Sequence, residues 1–119
     1  MELIFDNNTP IYLQLLDYFK VSIISGKFGL GEKLPSVREF AITLKVNPNT
    51  VQKALGELEE LGLIFTERTN GKYVTNDNIL VKKIKSEYAK TLSKNYFESM
   101  QKIGFETSDV IDYLKNFDK

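Results

Sequence analysis

The sequence contains no cysteine and no histidine. Their absence removes disulfides, zinc sites of the usual Cys/His kind, Cys or His nucleophile pairs and imidazole acid/base chemistry together, so most enzymatic readings lose their reactive groups. Asp and Glu remain, but no spacing among them suggests a catalytic or metal pair, and neither an enzyme nor a cofactor is expected. No apolar run approaches the ~20 residues needed to cross a bilayer, and the N-terminus lacks a basic stretch followed by an apolar core. The expectation is a cytoplasmic protein with no membrane partner. Repeats, low-complexity segments and a proline-rich linker are missing too. So is any excess of charge: 16 Lys and Arg balance 16 Asp and Glu. A partner held mainly by electrostatics is thereby disfavoured, and nucleic-acid binding must rest on where the charges sit.

What is present is ordinary globular material. With 119 residues, 42% hydrophobic and 27% charged, the chain can bury a core and fits one domain or a small domain with an appendage. Thr9-Pro10 precedes Ile11, Leu13, Leu15, Leu16, Phe19, Val21, Ile23 and Ile24, so a helix is expected from Pro10, capped by Thr9 and ending near Ser25 before Gly26. Lys27 to Leu34 reads as a loop leading to a short extended segment before Pro35. Ser36-Val37-Arg38-Glu39 is a capping box, opening a second helix that turns Val37, Phe40, Ala41 and Leu44 inward. Lys45-Val46-Asn47 is a three-residue link, and Asn47-Pro48 opens a third helix through Val51, Ala54, Leu55, Leu58 and Leu61, closed by Gly62.

Leu63 to Glu67 and Lys72 to Thr75 are rich in strand formers and flank Asn70-Gly71, which predicts a hairpin with a type I′ turn and a basic tip. Past Thr75 the composition shifts toward Lys, Glu, Ser and Asn. Leu80, Ile84, Tyr88, Leu92, Tyr96, Met100 and Ile103 recur at helical spacing and predict one long helix ended by Gly104. Thr107-Ser108-Asp109 starts a last helix, with Val110, Ile111, Leu114 and Phe117 on one side. The expected class is therefore mainly α with a small β-hairpin: a winged helix-turn-helix over residues 1–75 and a C-terminal helical arm over 76–119.

Two short helices joined by three residues, the second with a polar first turn, form the geometry that lays a helix into a DNA major groove, and the hairpin after them supplies a wing. Leu34-Pro35-Ser36-Val37-Arg38-Glu39-Phe40-Ala41, Val46-Asn47-Pro48-Asn49-Thr50-Val51-Gln52-Lys53-Ala54-Leu55, Leu61-Gly62-Leu63-Ile64, and Arg68 with Gly71-Lys72-Tyr73-Val74 resemble, in register, the GntR family of bacterial regulators. The short helical tail looks like the YtrA subfamily, whose two C-terminal helices serve dimerisation. The resemblance implies a homodimeric DNA-binding transcription regulator, most simply a repressor of a transporter operon that binds a pseudo-palindromic site. A small-molecule effector is not evident from it.

Carried over position by position, the resemblance makes Arg38 a DNA contact and places Asn47, Asn49, Thr50 and Gln52 where the family approaches bases and phosphates. Their chemistry suits such a place, since Asn and Gln can pair bidentately with adenine, Thr can meet a thymine methyl or a phosphate, and open first-turn amides favour phosphate. Lys53 lies one turn further along, able to reach a phosphate or a guanine edge, and Arg68, Asn70, Gly71 and Lys72 form the wing tip that lines the minor groove. The chain departs from the family in having Thr69 where the wing usually has glycine, and in having few arginines on the recognition helix. From Lys33 to Val74 six basic residues face five acidic ones, but Glu57, Glu59 and Glu60 fall at the far end of the third helix while the basic residues cluster at its start, on the preceding helix and on the wing. In the arm, Ile84, Tyr88, Leu92 and Tyr96 form a stripe wider than one protomer can cover, and mark the expected dimer surface. A winged helix used purely to bind proteins is the rival reading, and neutral net charge is its support.

Overall fold

In the computed structural model, which describes residues 3–118, the chain runs α1 (Ile11–Ile24), α2 (Val37–Leu44), α3 (Pro48–Glu60), β1 (Ile64–Glu67), β2 (Gly71–Val74), α4 (Asn78–Lys102) and α5 (Thr107–Lys115). The mainly helical architecture with one small hairpin is the one the sequence pattern predicts. None of its described helices is long and apolar enough to cross a membrane.

The core forms where three helices turn apolar faces toward one another. On α1, Leu15, Phe19, Ser22 and Ile23 recur at four- and three-residue intervals and are buried. The one polar member, Ser22, is satisfied within the helix by donating its hydroxyl to the Tyr18 carbonyl at 2.8 Å. Phe19 meets Phe40 of α2 with ring centroids 4.8 Å apart, and Phe40 in turn lies 6.3 Å from Phe28. On α3 the buried face is Val51, Ala54, Leu55 and Leu58, packed against both α1 and α2.

The start of α1 differs from the expectation. Pro10 occupies the N-cap position, and its carbonyl accepts the amides of Leu13 and Gln14 at 3.1 and 3.3 Å. Thr9 is thereby one residue too early for its hydroxyl to cap. Gln14 organises the entry instead: its Nε2 donates to the Thr9 and Asp6 carbonyls at 2.8 and 3.0 Å, and its Oε1 accepts the Asp6 amide at 2.9 Å.

The capping box of α2 forms as expected, with the Glu39 amide donating to Ser36 Oγ at 3.1 Å and the Ser36 amide to Glu39 Oε1 at 2.9 Å. Lys45 ends the helix in the left-handed conformation at φ 57. This turns the chain sharply enough for α3 to begin at Pro48.

The hairpin pairs Ile64 with Val74, Phe65 with Tyr73, Thr66 with Lys72 and Glu67 with Gly71. Alternation puts Ile64 and Val74 in the core and stacks Phe65 on Tyr73 on the other face, 5.7 Å between centroids. The segment before Pro35 adds a short third rung, since the Leu34 amide donates to the Lys72 carbonyl at 2.8 Å and the Val74 amide to the Glu32 carbonyl at 2.9 Å. The turn is not the type I′ expected. Only Gly71 of the Asn-Gly pair has a positive φ, at 107, and the Asn70 amide donates to the Glu67 carbonyl at 3.3 Å, so the turn spans Glu67 to Asn70 and Gly71 already lies in the strand. Pairing of Glu67 with Gly71 forces this longer loop, because the two-residue turn would need Thr69 opposite Lys72.

By internal contacts the chain divides into two compact units, residues up to Lys83 and residues from Ile84 on. In the first, Asp77 caps α4 by accepting the Leu80 amide at 3.0 Å, and Val81 is buried. In the second, α5 opens with the Glu106 amide donating to Asp109 Oδ2 at 3.1 Å, and Val110 is fully buried. Tyr113 there sits edge-on to Phe105 and tilted against Phe117, 6.0 Å from each.

Candidate nucleic-acid interface

The first turn of α3 is self-contained. Asn47 Oδ1 accepts the Asn49 amide at 2.8 Å, the Asn47 carbonyl accepts those of Thr50 and Val51 at 3.0 and 3.1 Å, and Pro48 has none to offer. The open amides expected for phosphate binding are therefore already satisfied, and Asn47 serves as the cap. Any contact with nucleic acid falls to side chains. Asn49, Gln52 and Lys53 are all exposed, and their spacing puts them on one stripe opposite the buried Val51, Ala54, Leu55 and Leu58, with Thr50 half-buried at its edge. A carboxamide pair one turn apart, followed by an ammonium, is a surface that can donate and accept along base edges.

Gly56 continues that stripe toward the C-terminal end, and a Cβ there would meet nothing within 4 Å. Neither packing nor backbone conformation requires glycine at this point, so Gly56→Ala is expected to raise stability by about 0.5–1 kcal/mol through reduced chain entropy in the unfolded state. Thermal unfolding checks it, and a lower melting temperature would mean that the open space is closed in solution.

Arg38 is exposed in the first turn of α2, beside the capping box. The Ser36 amide and hydroxyl, helped by the charge of Lys33, hold the Glu39 carboxyl below its ordinary range despite slight desolvation. A depressed carboxyl stabilises the fold above its unfolded-state titration and loses that contribution only as pH falls through the folded one, so the box persists through neutral pH.

The wing divides the residues predicted for its tip. Arg68 and Asn70 are exposed in the turn, with Gly71 just behind them. Lys72 is drawn away: it shares the inner face with Thr66, and its Nζ lies 3.4 Å from Glu59 Oε1 of α3 and 3.0 Å from Thr66 Oγ1, which itself donates to Glu59 at 3.0 Å. Its charge is thus matched within the protomer and its side chain is only 17% exposed. Lys33 takes a place that sequence reasoning missed. It bridges Tyr73 at the edge of β2, and its Cε would lie 3.6 Å from a Cβ on Gly71, so its stem runs beside the wing. The short extended segment before Pro35 was its one signal. A further residue without sequence signal is Tyr12 of α1, whose ring centroid lies 3.6 Å from Lys53 Nζ.

In the arm, Ile84, Tyr88 and Tyr96 are half-buried and Leu92 is 57% exposed. Tyr96 stands edge-on to Phe97 with centroids 6.3 Å apart. Ile103, Leu114 and Phe117 add further exposed apolar surface.

This arrangement has counterparts among known proteins. Two curated regulators of Bacillus subtilis are similar to the chain. The HTH-type regulator YhcF is 33% identical over 113 residues, covering 95% of this chain and 93% of its own length. The HTH-type transcriptional repressor YtrA is 45% identical over 71 residues, 60% of this chain and 55% of its own length. Among solved structures, a GntR family transcriptional regulator from Listeria monocytogenes superposes with a TM-score of 0.88 at 40% identity, over 94% of this chain and 98% of that one. The DNA-binding domain of AraR in complex with operator ORX1 superposes with a TM-score of 0.58 at 26% identity, over 63% of this chain and 96% of that one. The model of the gntR family of bacterial regulatory proteins matches residues 11–74, from the first helix of the core to the last residue of the wing. With the family signature spanning the whole winged body, the chain belongs to the gntR family, whose members are transcription regulators rather than enzymes.

Proposed function

We propose that the chain is a cytoplasmic, sequence-specific DNA-binding repressor that works as a homodimer on a pseudo-palindromic operator. Asn49, Thr50 and Gln52 of α3 read bases in the major groove, Asn47 holds that turn in place, and Lys53 and Arg38 reach the backbone. Arg68, Asn70 and Gly71 bring the wing to the minor groove, while Lys72 braces it. The observation that carries this reading is the solvent-facing polar stripe Asn49, Gln52 and Lys53, presented on the same body as the exposed tip Arg68 and Asn70. Support comes from the likeness to the YtrA repressor and to an AraR domain solved on operator DNA. The apolar side chains exposed on the arm, Leu92 and Leu114 among them, supply a surface for a second copy, and a two-fold pair would set its half-sites about one helical turn, ~34 Å, apart. Transport operons are the proposed targets.

Selection of bound duplexes from a random pool tests the reading directly, and an enriched inverted repeat is the expected result. On that operator, Arg38→Ala and Arg68→Ala are expected to weaken binding at every sequence and to make the salt slope shallower by about one for each phosphate no longer neutralised. Asn49→Ala and Gln52→Ala are expected to relax base preference instead, with about 1–3 kcal/mol of discrimination lost at the base each one reads. A pool that yields no enriched sequence and no duplex affinity would leave a protein-binding module in its place.

A further inference from the structure

We infer that Tyr12, on the first turn of α1, is a positioning residue for DNA binding, its ring holding the Lys53 ammonium in place on the outward face of α3; the inference rests on the proposed regulator function. Lys53 Nζ stands 3.6 Å from the Tyr12 ring centroid, well inside the ~6 Å over which a ring face attracts a cation. Tyr12 is half-buried and so fixed by the body, whereas Lys53 is exposed and lies on the stripe with Asn49 and Gln52. Among the described residues the ammonium meets this ring and no carboxylate.

The distinction matters for charge. Lys72 of the wing, by contrast, gives its positive charge to Glu59 of α3. A ring does not neutralise an ammonium. It takes one side of the group and leaves the remaining N–H donors and the full charge for an incoming phosphate oxygen. A lysine stem already ordered over a ring also loses less rotamer freedom when it docks. Tyr12 thereby extends the binding surface onto α1 without having to touch the duplex.

Three measurements on the full chain with its selected operator test this. Tyr12→Leu, which keeps an apolar side chain of similar bulk, is expected to weaken operator binding about 2–5-fold, the size of an exposed cation–π contact, while Tyr12→Phe keeps binding at the starting level. In a double-mutant cycle, Lys53→Ala is expected to lose less affinity in the Tyr12→Leu background than in the unaltered protein. NMR of the free protein is expected to show the Lys53 side-chain methylene protons shifted upfield by the ring, with the shift retained in Tyr12→Phe and lost in Tyr12→Leu. Unchanged or tighter binding by Tyr12→Leu, additive losses in the cycle, or an equal loss in Tyr12→Phe would each overturn the inference; the last would assign the contact to the hydroxyl. Failure of the unaltered protein to bind any duplex would instead sink the regulator reading on which it stands.

Discussion

Leu92→Glu is expected to yield a folded protomer that no longer pairs and that binds its operator about 10²–10⁴-fold more weakly, because the second half-site then has to be filled by an independent protein. Leu92 is 57% exposed within the chain, so glutamate there removes little packing from the protomer itself. In the proposed pair, the same position falls within an apolar seam formed with Ile84, Tyr88 and Tyr96, where an unpaired carboxylate has to be stripped of water. Sedimentation reads the assembly and circular dichroism the helix content. If Leu92→Glu leaves the assembly intact, the double substitution Tyr88→Glu with Leu92→Glu decides whether the seam lies on α4 at all. A dimer that survives both moves the interface to the exposed Leu114 of α5 and Phe117 just beyond it.

The second large effect concerns the body rather than the arm. Phe19→Ala is expected to cost about 3–5 kcal/mol, the usual range for emptying a fully packed aromatic position. Phe19 is 2% exposed and its ring supports Phe40, which supports Phe28, so its removal opens a void at the junction of α1, α2 and the loop after α1. Small domains have only about 5–15 kcal/mol in total, and each lost kcal/mol lowers the melting temperature of a domain this size by roughly 4–8 °C. Calorimetry or denaturant titration measures the loss. A change under about 1 kcal/mol would mean that Phe40 and its neighbours collapse into the space.

Much of this molecule is legible in its sequence because the dominant signals are local. The Ser36–Glu39 box, the Asn47-Pro48 start and the apolar period of α3 act within one or two helical turns, and each element appears where its own residues place it. The departures arise where distant residues compete for the same group. Thr9 has the chemistry of a cap, but Gln14 binds the incoming chain and Pro10 takes the cap position. Asn-Gly favours a tight turn, yet register is fixed by Ile64 and Val74 reaching the core, and the loop lengthens to suit. Lys72 reads as a free basic residue beside the tip, but strand alternation turns it toward a carboxylate 13 residues away on α3. The contact between Tyr12 and Lys53 has no sequence signal, since only the packing of α1 on α3 brings them together.

The Lys72, Thr66 and Glu59 cluster gives this frame an adjustable setting. The ribbon is tied by Lys72 and Thr66 to a carboxylate on the neighbouring helix, which also offsets part of its positive charge. Pairs at the protein surface, with one partner still open to water as Glu59 is, contribute only about 0–1 kcal/mol. A lineage can therefore exchange Glu59 for a neutral residue with little loss of fold, release one cation per protomer, and retune non-specific affinity while the side chains proposed to read bases stay as they are.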